Sequence, residues 1–292
     1  MEKEETTMVA EAPPGTRPDY TIDQNWDAYT AADHATWHTL FRRQEEILKG
    51  RAAPEFLEAL ADLPMAADRI PDFRRLTDML HPATGWSIVA VPGLVPGDIF
   101  FEHLANRRFP VTVWIRTPEQ MDYLEEPDLF HDTFGHVPLL MNPVFADFIQ
   151  AYGRAGQEAT RLGCLDYLGR LYWYTVEFGL IRRPEGMRIY GAGIVSSRGE
   201  SVWCLEDPSP NHIGFDLRRV MRTHYRIDDY QETYFVIDEY DQLFAALERD
   251  LQPVYEELKR TTVLEPGGVQ PGDTVYRRGT GVYHRARRRA AE

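Results

Sequence analysis

The 292-residue sequence predicts a mainly α domain with short β-strands, an α+β arrangement built as one unit. Three observations predict it. Apolar residues recur at helical spacing over long stretches, above all 142–162 and 166–182. Short runs rich in β-branched residues lie between them, such as Ile88-Val89-Ala90-Val91 and Thr233-Tyr234-Phe235-Val236-Ile237. No linker-like segment and no internal repeat interrupts residues 20–262.

Taken in order, residues 1–19 are polar and Pro-rich (Ala12-Pro13-Pro14-Gly15) and are expected to be disordered. Thr30-Ala31-Ala32-Asp33 reads as a capping box. Trp37, Leu40, Phe41, Gln44, Ile47 and Leu48 then follow at helical spacing, and Gly50 stops that helix. Shorter helices are expected at 54–62 and 71–80, and strands at Trp86–Val91 and Val111–Ile115. The long helices 142–162 and 166–182 come next, the second rich in aromatic residues. Met187 to Ile194 reads as a strand running into a Gly-rich turn. Helices are expected at 215–224 and 239–260, with the Thr233–Ile237 strand between them. Beyond 262, glycines and then Arg285, Arg287, Arg288 and Arg289 read as a flexible tail over 263–292.

Composition narrows the function. Hydrophobic residues make up 43% of the chain, as in a packed globular protein. A net charge of −14 argues against general affinity for nucleic acid or anionic membrane. No apolar run approaches the ~20 residues that span a bilayer, and the acidic Met1-Glu2-Lys3-Glu4-Glu5 start is no secretory signal. Cys164 and Cys204 are too few for a disulfide framework, so two reduced core thiols in a cytoplasmic protein are expected.

The chemistry gathers at Pro127-Asp128-Leu129-Phe130-His131-Asp132-Thr133-Phe134-Gly135-His136-Val137-Pro138. Two histidines and one carboxylate can hold a divalent metal on one face and leave the other open. Glu177 is the candidate carboxylate, because Tyr172, Trp173, Tyr174, Val176 and Phe178 leave it little solvent face. An unpaired buried carboxylate is costly and calls for a cation. On a continuous α-helix the two histidines would stand about 140° apart, since each residue advances ~100°. They could not share a face, unlike the pair in a His-Glu-x-x-His zinc protease. The expectation is therefore a helix that carries His131 in its last turn and ends at Gly135, with His136 returning from a loop. A buried histidine is more often a hydrogen-bonded core residue, and a lone helical Glu more often faces water. The aromatic setting of Glu177 weighs against that plainer reading.

These residues belong to four ordered motifs: Arg116-Thr117-Pro118-Glu119-Gln120, Glu126 to Pro138, Leu171-Tyr172-Trp173-Tyr174-Thr175-Val176-Glu177-Phe178-Gly179-Leu180, and Tyr190-Gly191-Ala192-Gly193-Ile194-Val195-Ser196-Ser197. In them the chain resembles the pterin-dependent aromatic amino acid hydroxylases, most closely the single-domain bacterial members acting on phenylalanine. The resemblance covers about residues 20–262 and implies a helical basket with short strands around a metal pocket. It implies Fe(II), a tetrahydrobiopterin-type cofactor and O₂, with phenylalanine hydroxylated to tyrosine. Tryptophan or tyrosine as substrate stays open. Carried over by motif, His131, His136 and Glu177 are the iron ligands, and Tyr172 projects toward the metal. Arg116 anchors the substrate carboxylate with help from Ser196, and Trp173, Phe178 and Pro127 wall the ring pocket. Phe100 stacks on the pterin, Gly93 and Val95 lend it backbone contacts, and Asp132 lies near it. A monomer is expected, because the chain shows neither the family's regulatory domain nor its tetramerisation helix. Two other readings compete: a zinc hydrolase on the same ligands with Asp132 as base, and a non-catalytic pterin- or amino-acid-binding protein.

Overall fold

The computed structural model describes residues 13–122, 124 and 126–291. Most of the expected disordered segment 1–19 lies outside the described residues. Its last part, 13–19, turns back onto the fold, where buried His103 donates from Nε2 to the Asp19 carbonyl at 2.8 Å.

The first layer is helical. Helix α1 (Ala31–Ile47) starts at the expected capping box, with Thr30 and Asp33 exchanging side-chain-to-backbone hydrogen bonds. Its apolar stripe, Trp37, Leu40 and Phe41, is buried. Gln44 on the same stripe is fully buried, and its side-chain nitrogen donates to the Val195 carbonyl at 2.7 Å. Helices α2 (Pro54–Asp62) and α3 (Phe73–Thr84) follow, the latter capped by Asp72 and ended by Gly85 at φ 75°.

Strands β1 (Ser87–Val91) and β2 (Arg108–Thr112) pair in parallel. A parallel pair needs a crossover, and α4 (Gly97–Ala105) supplies it. The sequence reading had no helix here and set the second strand at Val111–Ile115. Ile99, Phe100, Phe101 and Leu104 are the helical signal it passed over. Helix α4 lies against α5 (Pro143–Leu162), whose Gly153 lets the backbones touch. A Cβ at Gly153 would stand 2.3 Å from the Ala105 nitrogen.

The expected helix 166–182 ends early. Helix α6 (Leu165–Tyr172) passes into a π-turn at Trp173–Glu177, and then Gly179 leads into strand β3 (Leu180–Arg183). Leu180 and Ile181 are fully buried in a sheet, a partner that periodicity could not foresee. Strand β4 (Gly186–Ile189) is shorter than expected, and helix α7 (Ala192–Val195) replaces its end. Then come α8 (Arg198–Glu206), β5 (Asn211–Gly214), α9 (Leu217–Met221) and β6 (Thr233–Ile237). The strand at 233–237 falls where expected, and the helix expected at 215–224 is shorter. The helix expected at 239–260 is two, α10 (Asp241–Leu247) and α11 (Gln252–Leu258), because Pro253 fits a helix start and not its interior.

The tail expected at 263–292 is structured through residue 291. Strand β7 (Val275–Arg277) adds to the sheet, and α12 (Val282–Ala291) folds back with His284 only 1% exposed. The sheet runs β4-β3-β6-β5-β7, with β3, β6 and β5 parallel and both edges antiparallel. Both cysteines are buried and free, as expected. Among the described residues no helix is long and apolar enough to cross a membrane.

Replacing Gly153 by Ala must push α4 from α5. Overpacking of this kind costs about 1–3 kcal/mol or more. Its thermal midpoint is therefore expected to fall by several degrees, read by circular dichroism; an unchanged midpoint would show that the two helices are not in contact.

Candidate metal centre

The structure brings His131, His136 and Glu177 together, with one ligand atom of each within 4.8 Å of the others. His136 Nε2 stands 3.1 Å from His131 Nε2 and 3.1 Å from a Glu177 oxygen, and His131 Nε2 is 3.6 Å from the other oxygen. The local backbone differs from the expected helix end and loop. Residues His131–His136 form a π-turn, whose i→i+5 repeat places residues five apart on one face. The 140° objection held only for α geometry. Gly135 does not end the helix; its missing Cβ allows the Ala192 carbonyl to approach, 3.0 Å from where a Cβ would be.

Glu177 also sits on a π-turn, with the Phe178 N–H donating to the Trp173 carbonyl at 2.8 Å. Gly191 is held behind it: its N–H donates to the Gly179 carbonyl at 3.1 Å, and a Cβ there would stand 2.4 Å from the Glu177 carbonyl.

The proton positions follow from the neighbours. Ser196 Oγ donates to the Ala192 carbonyl at 2.7 Å and so accepts from His131 Nδ1–H at 2.9 Å. This leaves His131 Nε2 as a lone pair facing the other two ligands. Burial lowers the His131 pKa to about 4, keeping the ring neutral. Burial pushes the Glu177 carboxyl up, but the His136 and His131 imidazoles outweigh it and hold the group below its usual value. Two imidazole nitrogens and a carboxylate converge here, with one ligand atom of each within 4.8 Å of the others. The donor set therefore fits a divalent metal. Ser196, expected at the substrate's end, is seen here hydrogen-bonded to His131.

Asp128, to which the sequence motifs assign no role, organises the surroundings of Arg116. It is fully buried and grips Arg116 twice, Nε and Nη2 each donating at 2.8 Å. It also accepts the backbone N–H of Arg116 and of His131, both at 3.0 Å. One carboxylate thus ties Arg116 to His131. The pair uses two of the five guanidinium N–H donors, and among the described residues no other acceptor engages Arg116. Burial alone would raise the Asp128 carboxyl; Arg116 and the two backbone N–H groups hold it below the ordinary carboxylate range. The residue accepting from its own chain three positions on, at the start of a turn, was the available sequence signal.

Trp173 and Phe178 face each other beside Glu177, ring centroids 4.7 Å apart, and Pro127 is half-buried in the loop before Asp128. On the other side Tyr172 lies against His136, ring centroids 6.3 Å apart, and meets Phe100 edge-on at 6.1 Å. Phe100 is half-buried on α4, and Gly93 and Val95 are half-buried in the loop before it. Burial holds the Tyr172 phenol protonated. Asp132 accepts the Thr112 N–H at 2.8 Å, fastening the π-turn to β2, and burial raises its pKa to about 7. Two surface hollows of about 750 and 610 Å³ lie elsewhere and include none of these groups.

An open three-ligand face of two histidines and a carboxylate defines the class of metal-dependent oxygenases. Comparison with known proteins is more specific. The chain belongs to the biopterin-dependent aromatic amino acid hydroxylases, whose family pattern it matches over residues 22–264. It is 62% identical to the phenylalanine-4-hydroxylase of Ralstonia nicotianae, over 90% of this chain and 84% of that one. It is 57% identical to that of Caulobacter vibrioides, over 96% and 95% of the two chains. The crystal structure of phenylalanine hydroxylase from Chromobacterium violaceum bound to cobalt superposes with a TM-score of 0.87 at 60% identity. That match covers 88% of this chain and 93% of that one.

Two outcomes follow. Ser196→Ala removes the acceptor of His131 Nδ1–H, and such losses cost about 10–100-fold in metal affinity; chelator competition measures it, and unchanged affinity would refute the orienting role. Asp128→Asn is expected to lose stability most at neutral pH. The native Asp128 pKa is depressed, so its contribution is full above the unfolded value of about 4 and fades as pH falls through the folded one. Denaturation at pH 7 and pH 3 is therefore expected to show a gap between variant and parent that narrows in acid.

Proposed function

We propose that this chain hydroxylates L-phenylalanine to L-tyrosine with O₂, using Fe(II) and a tetrahydropterin. The convergence of His131, His136 and Glu177 beside a carboxylate-anchored arginine and an aromatic wall carries this reading. Relatives named for phenylalanine at 57–62% identity support the choice of ring over tryptophan or tyrosine.

The residues divide the work. His131, His136 and Glu177 would hold the iron, and Ser196 keeps the His131 lone pair turned to it. Bound Fe(II) and reduced pterin together supply the electrons that activate O₂ for insertion of one oxygen atom into the ring. Arg116, stiffened by Asp128, pairs its free N–H edge with the substrate carboxylate. Trp173, Phe178 and Pro127 take the ring and exclude water from the open metal face. Phe100 offers a flat face for the pterin, Gly93 and Val95 offer backbone groups, Asp132 fixes the π-turn beside them, and the protonated Tyr172 fills the space between Phe100 and His136. The zinc-hydrolase reading loses support, since Asp132 is engaged with Thr112 and the family is an oxygenase.

The catalytic unit is taken as residues 20–262, with the segment after it folded onto the sheet. A cytoplasmic monomer accompanies this reading. Two free buried thiols support the compartment, and an α12 packed on its own domain, rather than projecting from it, supports the monomer.

Purified protein with Fe(II), tetrahydropterin and phenylalanine is expected to form tyrosine with O₂ uptake. Glu177→Ala is expected to lose iron and about a hundredfold or more of turnover. A variant retaining both would sink the ligand assignment, and equal turnover of tryptophan would sink the substrate assignment.

A further inference from the structure

Helix α12 lies beyond the family match, which ends at residue 264. Its contacts converge on one short segment. Tyr283 donates its hydroxyl to Asp229 at 3.0 Å, and Arg287 donates Nε to the same carboxylate at 3.1 Å. His284 donates Nε2 to the Tyr230 carbonyl at 2.8 Å, and Arg288 reaches Glu232 at 3.1 Å. Asp229 and Glu232 are themselves buried, with side chains 8% and 5% exposed, so these pairs are only partly screened by solvent. Trp203 completes the clamp, stacked on Tyr230 at 4.8 Å and touched edge-on by Tyr283 and His284.

The residue in the middle of the clamped segment is Gln231, 2% exposed, with every polar group engaged. Its backbone N–H donates to Glu200 at 3.2 Å, and its carbonyl accepts from Trp203 Nε1 at 3.2 Å. Its side-chain nitrogen donates to the Arg226 carbonyl at 2.7 Å. Its side-chain oxygen accepts from Trp173 Nε1 at 3.0 Å. The same loop sends Tyr225 onto the Trp173 ring, 4.3 Å away and nearly parallel. Tyr225 and Ile227 remain 38% and 60% exposed, as befits the rim of an opening. A buried amide with four engaged groups has one low-energy position, so moving its loop moves the indole it holds.

We propose that α12 is a strap that, through Gln231, sets the position of Trp173 and with it the aromatic wall of the substrate pocket. Tyr283, His284 and Gln231 are positioning residues; none touches the metal ligands. The inference rests on reading Trp173 as the wall of the phenylalanine pocket.

The test uses full-length, iron-loaded enzyme carrying Gln231→Leu, Tyr283→Ala or Tyr283→Phe. Loosening the wall weakens ring binding in ground and transition states alike, which raises KM with little change in kcat. Gln231→Leu and Tyr283→Ala are expected to raise KM for phenylalanine about five- to tenfold. Their kcat, pterin KM and iron content are expected to stay within about twofold of the parent. Tyr283→Phe keeps the ring contacts and is expected to recover most of the loss. A phenylalanine KM within twofold of the parent in folded Tyr283→Ala overturns the strap, as does a joint rise in both KM values with loss of iron. If Gln231→Leu does not fold, the Tyr283 pair decides alone. A parent enzyme that makes no tyrosine overturns the pocket reading and the strap with it; an active parent with unaltered variants overturns only the strap.

Discussion

Three largely buried polar side chains brought to one point are the constraint around which this molecule is organised. The Nε2 atoms of His131 and His136 and the Glu177 carboxylate stand 3.1 to 3.6 Å apart. Burying three such groups together is costly, so the surrounding framework must hold them. It does so with two π-turns, a rare backbone form that concentrates at functional sites. One turn puts His131 and His136 on a common face, and the other delivers Glu177. Behind them the aromatic core is rigid: Phe130 and Phe134 stack with centroids 4.8 Å apart, and Phe41 and Trp37 close around them.

The binding groups on either side of the metal face are fastened to the same framework. Asp128 joins Arg116 to the His131 backbone, so the two residues cannot move independently. A buried pair of this kind contributes little net stability against an apolar replacement, and its strength lies in fixing geometry. On the pterin side, α4 carries Phe100 and is locked against α5 at Gly153. Asp132 ties the first π-turn to β2, the strand that α4 connects to β1. Each potential ligand is thus met by a side chain whose support is a packed element and not a free loop.

Much of this was legible in the chain. The capping box of α1, helix 54–62, the long helix ending at Leu162 and the strand Thr233–Ile237 all follow from local chemistry. The meeting of His131, His136 and Glu177 was legible too, because residue type, motif order and an aromatic setting already singled them out. The π-turns were not, since the spacing argument assumed α geometry throughout. Nor was the packed C-terminal segment: its Gly- and Arg-rich composition reads as solvated, and its stability comes from Asp229, Glu232 and the ring of Trp203, distant in sequence.

The sequence by itself determined which groups are present: two histidines and a glutamate able to hold a metal, a guanidinium, and the aromatic rings around them. Those are properties of residue type and motif order, and they survive without coordinates. Tertiary structure alone decided how they stand. It turned Ser196 toward His131, gave Arg116 its partner Asp128, ended one helix early so that Leu180 could enter a sheet, and fastened α12 to the loop that holds Trp173. Each of these depends on contacts between segments tens of residues apart, where burial and hydrogen-bond satisfaction override local propensity.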